Sequence, residues 1–298
     1  MTDEVVLQIK PIAGERAQPA RPVPPEVFFI CSAIFHYLGP AFAVLLFAEV
    51  DVLGVAWLRI ASAAVVFAFW KRPWRLFAEL RAGEKRIVVA LGFVLAIMNV
   101  CFYVAIDRLP LATVGTIEFL GPIALAALGV RTIRNLAALL LACSGVFLLT
   151  SVRISGEPIG YIFAFANCAL FVLYILLGHR IAATGGRGGV ERLAMAMVIA
   201  SIVVTPIGLR SAAGALLDPK LLLAGIGVGI CSSVIPYICD QFAMARLSKA
   251  TFALMLSLLP ATACLVGIIV LRQVPSISEL TGVGAVIAGV ALKRNAND

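Results

Sequence analysis

Three ionisable side chains lie inside long apolar stretches of this sequence, where a charge is costly. Glu118 stands in the middle of the run 111–130, four residues before Pro122, and Arg59 and His36 occupy two earlier apolar runs. An ionisable group in such surroundings usually faces a water-filled cavity or a partner. A carboxylate there binds an ammonium group or a proton, a guanidinium binds a carboxylate, and imidazoles change charge near neutral pH. These three residues are the first candidates for binding chemistry.

Each of the three residues also has a purely structural interpretation. Glu118 could form a static ion pair with Arg59 or His36 that fixes helix packing. Arg59 could instead reach the outer membrane interface with its long stem. His36 could be a hydrogen-bonded packing residue beside Gly39 and Pro40, where a broken helix would otherwise expose backbone groups to a ligand. One carboxylate and one guanidinium facing the same cavity would suit a zwitterion, so both interpretations stay open here.

Further polar side chains recur at helical spacing in otherwise apolar runs. Residues three, four, seven or eight apart lie on nearly the same helix face, so each set forms a polar row. Such rows either line a cavity or hydrogen-bond neighbouring helices, at about 0.6 kcal/mol per bond. We predict that they line a cavity. The rows are Asn99 with Tyr103, Asn167 with Tyr174, and Ser233 with Tyr237 and Gln241.

Two further expectations concern the wall and one end of this cavity. Met255, together with Phe102 and Phe119, is predicted to give it a roomy apolar lining that accepts more than one substrate. Asp240 is predicted to pair with Arg246 at a helix end rather than to bind substrate.

The elements that position these residues are predicted to be membrane-spanning helices. The chain has 298 residues, of which 62% are hydrophobic and 13% charged, and its mean hydropathy is +1.05. A soluble domain is about half apolar and about a quarter charged. The apolar residues form blocks of roughly 17–22 residues, which is the length that a helix needs to cross a bilayer and is too long for barrel strands. The ten blocks lie at 27–47, 52–70, 86–106, 111–130, 135–152, 158–178, 190–210, 221–241, 250–270 and 278–292.

The positive charge follows membrane topology rather than a nucleic-acid surface. The formal net charge is +8, and 18 of the 24 lysine and arginine residues fall in alternate connections and at the two ends, against five in the remaining connections. Positive residues are enriched on the cytoplasmic side, so both termini are predicted to be cytoplasmic. The proline-rich residues 1–26 read as a disordered cytoplasmic arm without a signal peptide, and 293–298 as a cytoplasmic tail.

Cysteine, histidine and motif usage favours a protein without a metal, a cofactor or an enzyme active site. All seven cysteines fall within apolar blocks, and none forms a CxxC pair or a zinc-binding spacing. The sequence contains no HExxH, GxSxG or P-loop motif for hydrolysis or nucleotide binding. A filter loop and rings of like charge, which are typical of channels, are also missing from the sequence.

An internal repeat divides the chain into two similar halves. Residues 105–122 and 243–260 match at an offset of 138 positions. Five helices per half is an odd number, so the second half would enter the membrane from the opposite side, as in many secondary transporters. We therefore predict repeats at 27–152 and 153–292. Pro122 and Pro260 would fall at paired mid-helix positions, either as functional hinges or as tolerated kinks. The identical pairs are Ala105/Ala243, Arg108/Arg246, Leu109/Leu247, Ala112/Ala250, Thr113/Thr251, Leu120/Leu258 and Pro122/Pro260.

These motifs carry a family resemblance. The run NxxFYxAIxxLPLxxxxxxEFxGP from Asn99 to Pro122 and the run RLxxATxxxxLSLLP from Arg246 to Pro260 resemble the drug/metabolite transporter superfamily. More narrowly, they resemble its EamA-type exporters, in the threonine/homoserine and aromatic amino-acid exporter group. The resemblance covers about 30–292. It implies an all-α membrane protein of ten helices, both termini in the cytoplasm, a central cavity and efflux of small metabolites.

The sequence thus predicts a secondary transporter of the bacterial inner membrane. Its partners would be the lipid bilayer, an amino acid or another small metabolite, and, where transport is proton-coupled, protons; a monomer and a homo-oligomer are equally compatible with the sequence. The alternatives are an exporter or importer of another metabolite or drug class, and a facilitative uniporter without proton coupling.

Overall fold

All regular structure in the described part of the chain is helical. The structure is a computed structural model that describes residues 23–127, 132–151, 157–183, 186–247 and 258–292, together with Phe252, Met255 and Leu256. Most of the predicted N-terminal arm, residues 1–22, and the predicted C-terminal tail lie outside the described residues. The helices are α1 Pro25–Leu46, α2 Val52–Lys71, α3 Trp74–Glu79, α4 Ala82–Arg108, α5 Leu111–Ala127, α6 Ile133–Ser151, α7 Pro158–Ala182, α8 Gly186–Leu217, α9 Pro219–Gly229, α10 Ile235–Met244, α11 Leu258–Leu271 and α12 Ile277–Leu292.

Six helical segments in the described part of the chain are long and apolar enough to cross a membrane. They are Pro25–Leu46, Val52–Lys71, Ala82–Arg108, Pro158–Ala182, Gly188–Leu217 and Pro219–Met244. The other four predicted blocks coincide with α5, α6, α11 and α12, whose apolar segments are shorter. Helix α1 begins at Pro25, within the last two residues of the predicted arm 1–26, and a proline is well tolerated in the first helical turn.

Helix ends follow from local sequence. Asp51 and Asp218 cap α2 and α9, where their carboxylates accept backbone N–H groups that the helix leaves unpaired. At α12, Ser276 and Glu279 form a reciprocal pair: the Glu279 Oε2 accepts from the Ser276 N–H at 2.7 Å, and the Ser276 Oγ accepts from the Glu279 N–H at 3.2 Å. Arg72 closes α2 in the left-handed region, with φ 45°.

The two prolines of the internal repeat occupy different positions. Pro122 lies inside α5, as predicted. Pro260 is the third residue of α11, whereas the repeat predicts a mid-helix position. Leu256 is in a turn, and its carbonyl accepts the N–H of Leu259 at 3.0 Å. The first four N–H groups of a helix need no partner within it, so a proline in the first turn costs no helical hydrogen bond.

Helices from the two halves of the sequence pack against one another throughout the core. Helix α1 packs on α10 and α11, and α7 packs on α4 and α5. Helix α2 lies against α8, and α6 against α12. Small residues permit these close approaches. A Cβ placed on Gly54 would lie 2.6 Å from the backbone oxygen of Ser211, so the α2–α8 contact requires glycine at that position.

Candidate functional site

Glu118 is the centre of a buried polar cluster that joins three helices. Its carboxylate, on α5, is almost completely buried. Asn167 of α7 donates from Nδ2 to Oε1 at 2.9 Å, and Tyr37 of α1 donates its hydroxyl to Oε2 at 3.0 Å. The Nε2 of His36 lies 3.4 Å from the same Oε2. Glu118 therefore faces polar partners from both halves of the chain rather than lipid.

The backbone around Glu118 brings these partners close. A Cβ on Gly115, one turn earlier in α5, would lie 2.7 Å from the Tyr37 hydroxyl, so glycine leaves room for the tyrosine to reach the carboxylate. Asn167 is fully buried, and its Oδ1 has no hydrogen-bond partner among the described residues. An open acceptor thus stands next to a carboxylate, and two such acceptors are suited to a cationic N–H donor.

Asp240 is the centre of a second buried cluster on the same helices. Ser32 of α1 donates its hydroxyl to Oδ1, and Tyr174 of α7 donates its hydroxyl to Oδ2 at 2.8 Å. The prediction that Asp240 pairs with Arg246 is wrong. Arg246 instead donates to the Val23 carbonyl at 2.8 Å, close to the start of α1. Six residues span about 600° of helix rotation, which places the two side chains on different faces.

Arg59 binds a kinked segment of the second half. The guanidinium on α2 donates from Nε to the Ser233 Oγ at 2.9 Å and from Nη2 to the Ser232 carbonyl at 2.7 Å. It also lies 5.2 Å from the centre of the Tyr103 ring. Pro236 explains the carbonyl contact, because a proline has no N–H to donate to the carbonyl four residues earlier. The π-helical turn Ile230–Val234 lies at this point of the chain, between α9 and α10.

Arg59 is a buried cation without a counter-ion among the described residues. Its side chain is almost fully enclosed, and no described carboxylate lies within salt-bridge distance. The proposed static pair with Glu118 is therefore not formed here, whereas His36 does approach Glu118. A buried guanidinium with neutral partners only is poised to accept an anionic group, because the bare charge is costly.

Aromatic side chains connect the three charged groups. The Tyr174 and Tyr237 rings lie 5.4 Å apart, Phe171 stacks on Tyr174 at 5.8 Å, and the His36 ring lies 5.9 Å from Phe171. Tyr237 interacts electrostatically with Arg59, Asp240 and Glu118. Arg59, Asp240 and Glu118 therefore lie around a single aromatic cluster, the aromatic centre, which includes Tyr174 and Tyr237.

Asn99 and Tyr237 meet at this centre, where the Asn99 Nδ2 lies 3.4 Å from the Tyr237 hydroxyl. Their numbers differ by 138, which is the offset between the similar segments 105–122 and 243–260. Asn99 also donates to the Leu95 carbonyl at 2.6 Å. Tyr103, one turn along α4, is fully buried beside Arg59, and its hydroxyl makes no well-formed hydrogen bond to a described residue.

A proline follows three of the site residues at the same spacing. His36, Glu118 and Ser232 are each followed four residues later by proline, at positions 40, 122 and 236. Each proline removes the helical donor of that residue's carbonyl. At Ser232 the missing donor is replaced by Arg59. This spacing was visible in the sequence and would have connected Ser232 to the site.

The remaining predicted site residues lie less centrally. Met255 is half-buried and packs against the main apolar core, and no described hydrogen bond or ring contact connects it to the cluster. Gln241 is fully buried one residue beyond Asp240, and neither of its amide atoms has a hydrogen-bond partner in the described part of the chain. Sequence reasoning missed Ser32, although it lies one turn before His36 on the same face of α1.

A cavity of about 350 Å³, lined by both polar and apolar side chains, opens near one end of the helices. It lies between the α4–α5 connection and the α11–α12 connection, and Ala112 and Cys264 are part of its wall.

Among the described residues, no group of three or more His, Cys, Asp or Glu side chains is placed to hold a metal ion.

Comparison with known proteins decides the family. The model of the EamA-like transporter family matches residues 158–293. The threonine/homoserine exporter RhtA of Escherichia coli (strain K12) is 31% identical over 259 residues, which is 84% of each chain. The protein of the same name from Salmonella typhimurium (strain LT2) is 31% identical over 258 residues, with the same coverage. The chain belongs to the EamA-like transporter family.

A solved structure supports the fold of this EamA-family chain. One crystal structure with 18% sequence identity superposes with a TM-score of 0.63, over 90% of this chain and 95% of the other. The relatives are named as exporters and not as enzymes, in agreement with the absence of catalytic motifs from the sequence. The recognition made from the two sequence runs is confirmed.

Proposed function

We propose that this protein exports amino acids and related small metabolites across the bacterial cytoplasmic membrane. The single observation that carries the proposal is a buried carboxylate, Glu118, and a buried guanidinium, Arg59, that are not paired with each other. An amino acid is a zwitterion that supplies the missing partner of each group. The two similar relatives are named threonine/homoserine exporters, which is the same substrate class.

The ammonium group of the substrate would bind at Glu118. The unpaired Asn167 Oδ1 provides a second acceptor beside the carboxylate, and the Tyr37 and His36 contacts to Oε2 would be displaced or shared. The substrate carboxylate would bind Arg59, which keeps the Ser232 and Ser233 contacts that orient its guanidinium. The aromatic rings between them would cover the aliphatic part of the substrate.

Transport would proceed by alternating access between two inverted repeats, 27–152 and 153–292, with both termini cytoplasmic. The packing supports this arrangement, because the main contacts of α1 and α7 are counterparts with the halves exchanged: α1 packs on α10 and α11, and α7 packs on α4 and α5. The hydrogen bond between the matched residues Asn99 and Tyr237 is what a pseudo-two-fold axis near them would produce. Pro122 and Pro260 are the proposed hinges, although only Pro122 lies mid-helix.

Counterflow tests the proposal. Purified protein in proteoliposomes preloaded with unlabelled threonine should accelerate the uptake of labelled threonine, which neither an enzyme nor an open pore would do. Methionine and phenylalanine should be tried in parallel, because the aromatic centre can accept apolar side chains. Absence of counterflow for all three amino acids would remove the substrate class and leave the family assignment intact.

The Arg59 role has its own measurement. In Arg59→Lys the charge remains, but the forked geometry that holds the Ser232 carbonyl and the Ser233 hydroxyl is lost. We expect the KM for threonine counterflow to rise about tenfold, the equivalent of one charge-assisted hydrogen bond. An unchanged KM would assign Arg59 to helix packing. Lys220→Arg, at an exposed position of α9, is the control for altered basic side chains.

A further inference from the structure

The two buried carboxylates of the site receive chemically different hydrogen-bond donors. Oε1 of Glu118 is held by the amide nitrogen of Asn167, which can donate but cannot accept. Both hydrogen-bond partners of Asp240 in the described part of the chain are hydroxyls, from Ser32 and Tyr174. A hydroxyl donates to an ionised carboxylate and can turn to accept from a protonated one. Both oxygens of Asp240 can therefore keep their hydrogen bonds in either protonation state, whereas among the described residues only Oε2 of Glu118 has such a hydroxyl, from Tyr37.

Asp240 also has no close cation that would fix its charge. No described lysine, arginine or histidine lies within salt-bridge distance of it. The titratable groups near enough to interact with Asp240 are His36 from α1, Tyr174 from α7, and Tyr237 and Cys239 from α10 itself. None of these comes from α8 or the π-helical turn. Asp240 is only 5% exposed, so an unneutralised carboxylate there carries a desolvation cost that a proton removes.

The position of Asp240 couples its charge to the contact between the two halves. Ser32 belongs to the first half, whereas Asp240 and Tyr174 belong to the second. Hydrogen bonds to an ionised group are roughly twice as strong as those between neutral groups. Protonation of Asp240 therefore weakens the connection between α1 and the α7–α10 pair. Ser32 lies one turn from His36, so this site and the Glu118 site are about 6 Å apart along α1.

From this geometry we propose that Asp240, with Ser32 and Tyr174, is a proton-binding site separate from the substrate site at Glu118 and Arg59. The inference rests on the proposed export function and assigns its coupling ion. A proton from the outer side forms an O–H bond with one Asp240 oxygen, the negative charge is lost, and the same proton leaves to the cytoplasmic side after substrate has been released outside. The two hydroxyls stay in contact with the carboxyl group throughout.

The test compares energy coupling with exchange in the same proteoliposomes. A pH gradient of one unit should drive wild-type accumulation of threonine up to about tenfold for each exchanged proton. Asp240→Asn should abolish this accumulation, with a ratio of about 1, while counterflow stays within about threefold of wild type. Asp218→Asn is the matched control, because asparagine caps a helix as well as aspartate does and the position is exposed.

Each outcome separates the two proposals. If the wild-type protein shows no counterflow with any of the amino acids tested, the proposed substrate class is refuted. A different result would be that wild-type protein shows counterflow and that the pH gradient drives threonine accumulation equally in wild type and in Asp240→Asn. That result overturns the proton site and leaves the proposed exporter function in place. Wild-type counterflow with no response to pH, or accumulation driven by a sodium gradient instead, overturns it equally.

A second measurement covers the case in which Asp240→Asn fails to fold. Threonine added to purified wild-type protein in unbuffered detergent solution should release up to about one proton per chain, read with a pH electrode. Tyr174→Phe leaves Ser32 as the only hydroxyl donor, so the midpoint of proton release should move to higher pH, because the ionised carboxylate has lost a donor. A midpoint identical to wild type in Tyr174→Phe and in Ser32→Ala would overturn the proposal.

Discussion

Glu118 and Asp240 are both buried carboxylates between α1 and α7, yet their surroundings differ in kind. Glu118 has an amide, an imidazole and a phenol around it, with an unpaired amide oxygen alongside. Asp240 has two hydroxyls. The difference shows that burial alone does not define the role of a carboxylate. Oε1 of Glu118 is held by an amide N–H that cannot accept a hydrogen bond, whereas both oxygens of Asp240 contact hydroxyls that can either donate or accept.

The largest expected effect on transport follows from removal of the negative charge of Glu118. Glu118→Gln removes the anion that the substrate ammonium needs and should lower the counterflow rate at least about a hundredfold, because breaking one side of a buried charge pair costs about 3–5 kcal/mol. Asp240→Asn, an equivalent change about one helical turn away, should keep counterflow. The measurement is the initial rate of labelled threonine exchange. Equal losses in both variants would erase the distinction between the two sites.

A smaller effect should follow if the donor at Glu118 is changed into a reversible one. The reference is the pH profile of counterflow between roughly pH 5.5 and 8 in a chain that already carries Asp240→Asn, because the imidazole of His36 beside Glu118 is then present in both chains compared. Adding Asn167→Ser replaces the amide with a hydroxyl and should make exchange fall several-fold at the acidic end. The pH profile of counterflow in the two chains checks this.

The control for that experiment is Asn167→Leu in the same background. It removes the amide without supplying a hydroxyl, and it should lower exchange at every pH by about tenfold, as expected for an unsatisfied buried partner. Identical pH profiles for the serine and leucine variants would show that the type of donor does not control the protonation of Glu118.

The sequence predicts one of these two sites much better than the other. Glu118 is conspicuous because it is a charge inside an apolar run, and Asn167, Tyr174 and Tyr237 follow from helical periodicity. The apolar blocks also predict where the helices lie. What periodicity cannot supply is which helices meet, because the partners of Asp240 are 208 and 66 residues away in the chain. The sequence therefore favours the nearest cation, Arg246, as the partner of Asp240, although helix rotation turns its side chain away.

Local backbone geometry sets a second limit on what the sequence predicts. The row Ser233, Tyr237 and Gln241 was derived for a regular helix, but the π-helical turn Ile230–Val234 interrupts it. Ser233 consequently binds Arg59, Tyr237 contacts Asn99, and Gln241 faces α7 and α8. Pro236 was the available signal, since it frees the Ser232 carbonyl that Arg59 then occupies.

The smallest expected effect concerns stability beside Asp240. Gln241 is enclosed near Gly178 and Gly189, and both of its amide atoms are unpaired in the described part of the structure. Gln241→Leu removes that unsatisfied group at similar volume, which can be stabilising by about 1 kcal/mol and should raise the Tm in detergent by about 2–4 °C. Asn99→Leu is the contrast, because Asn99 is hydrogen-bonded and its loss should lower the Tm. A lower Tm for Gln241→Leu would mean that the amide has a bound water as partner, and would extend the polar surroundings of Asp240 by one group.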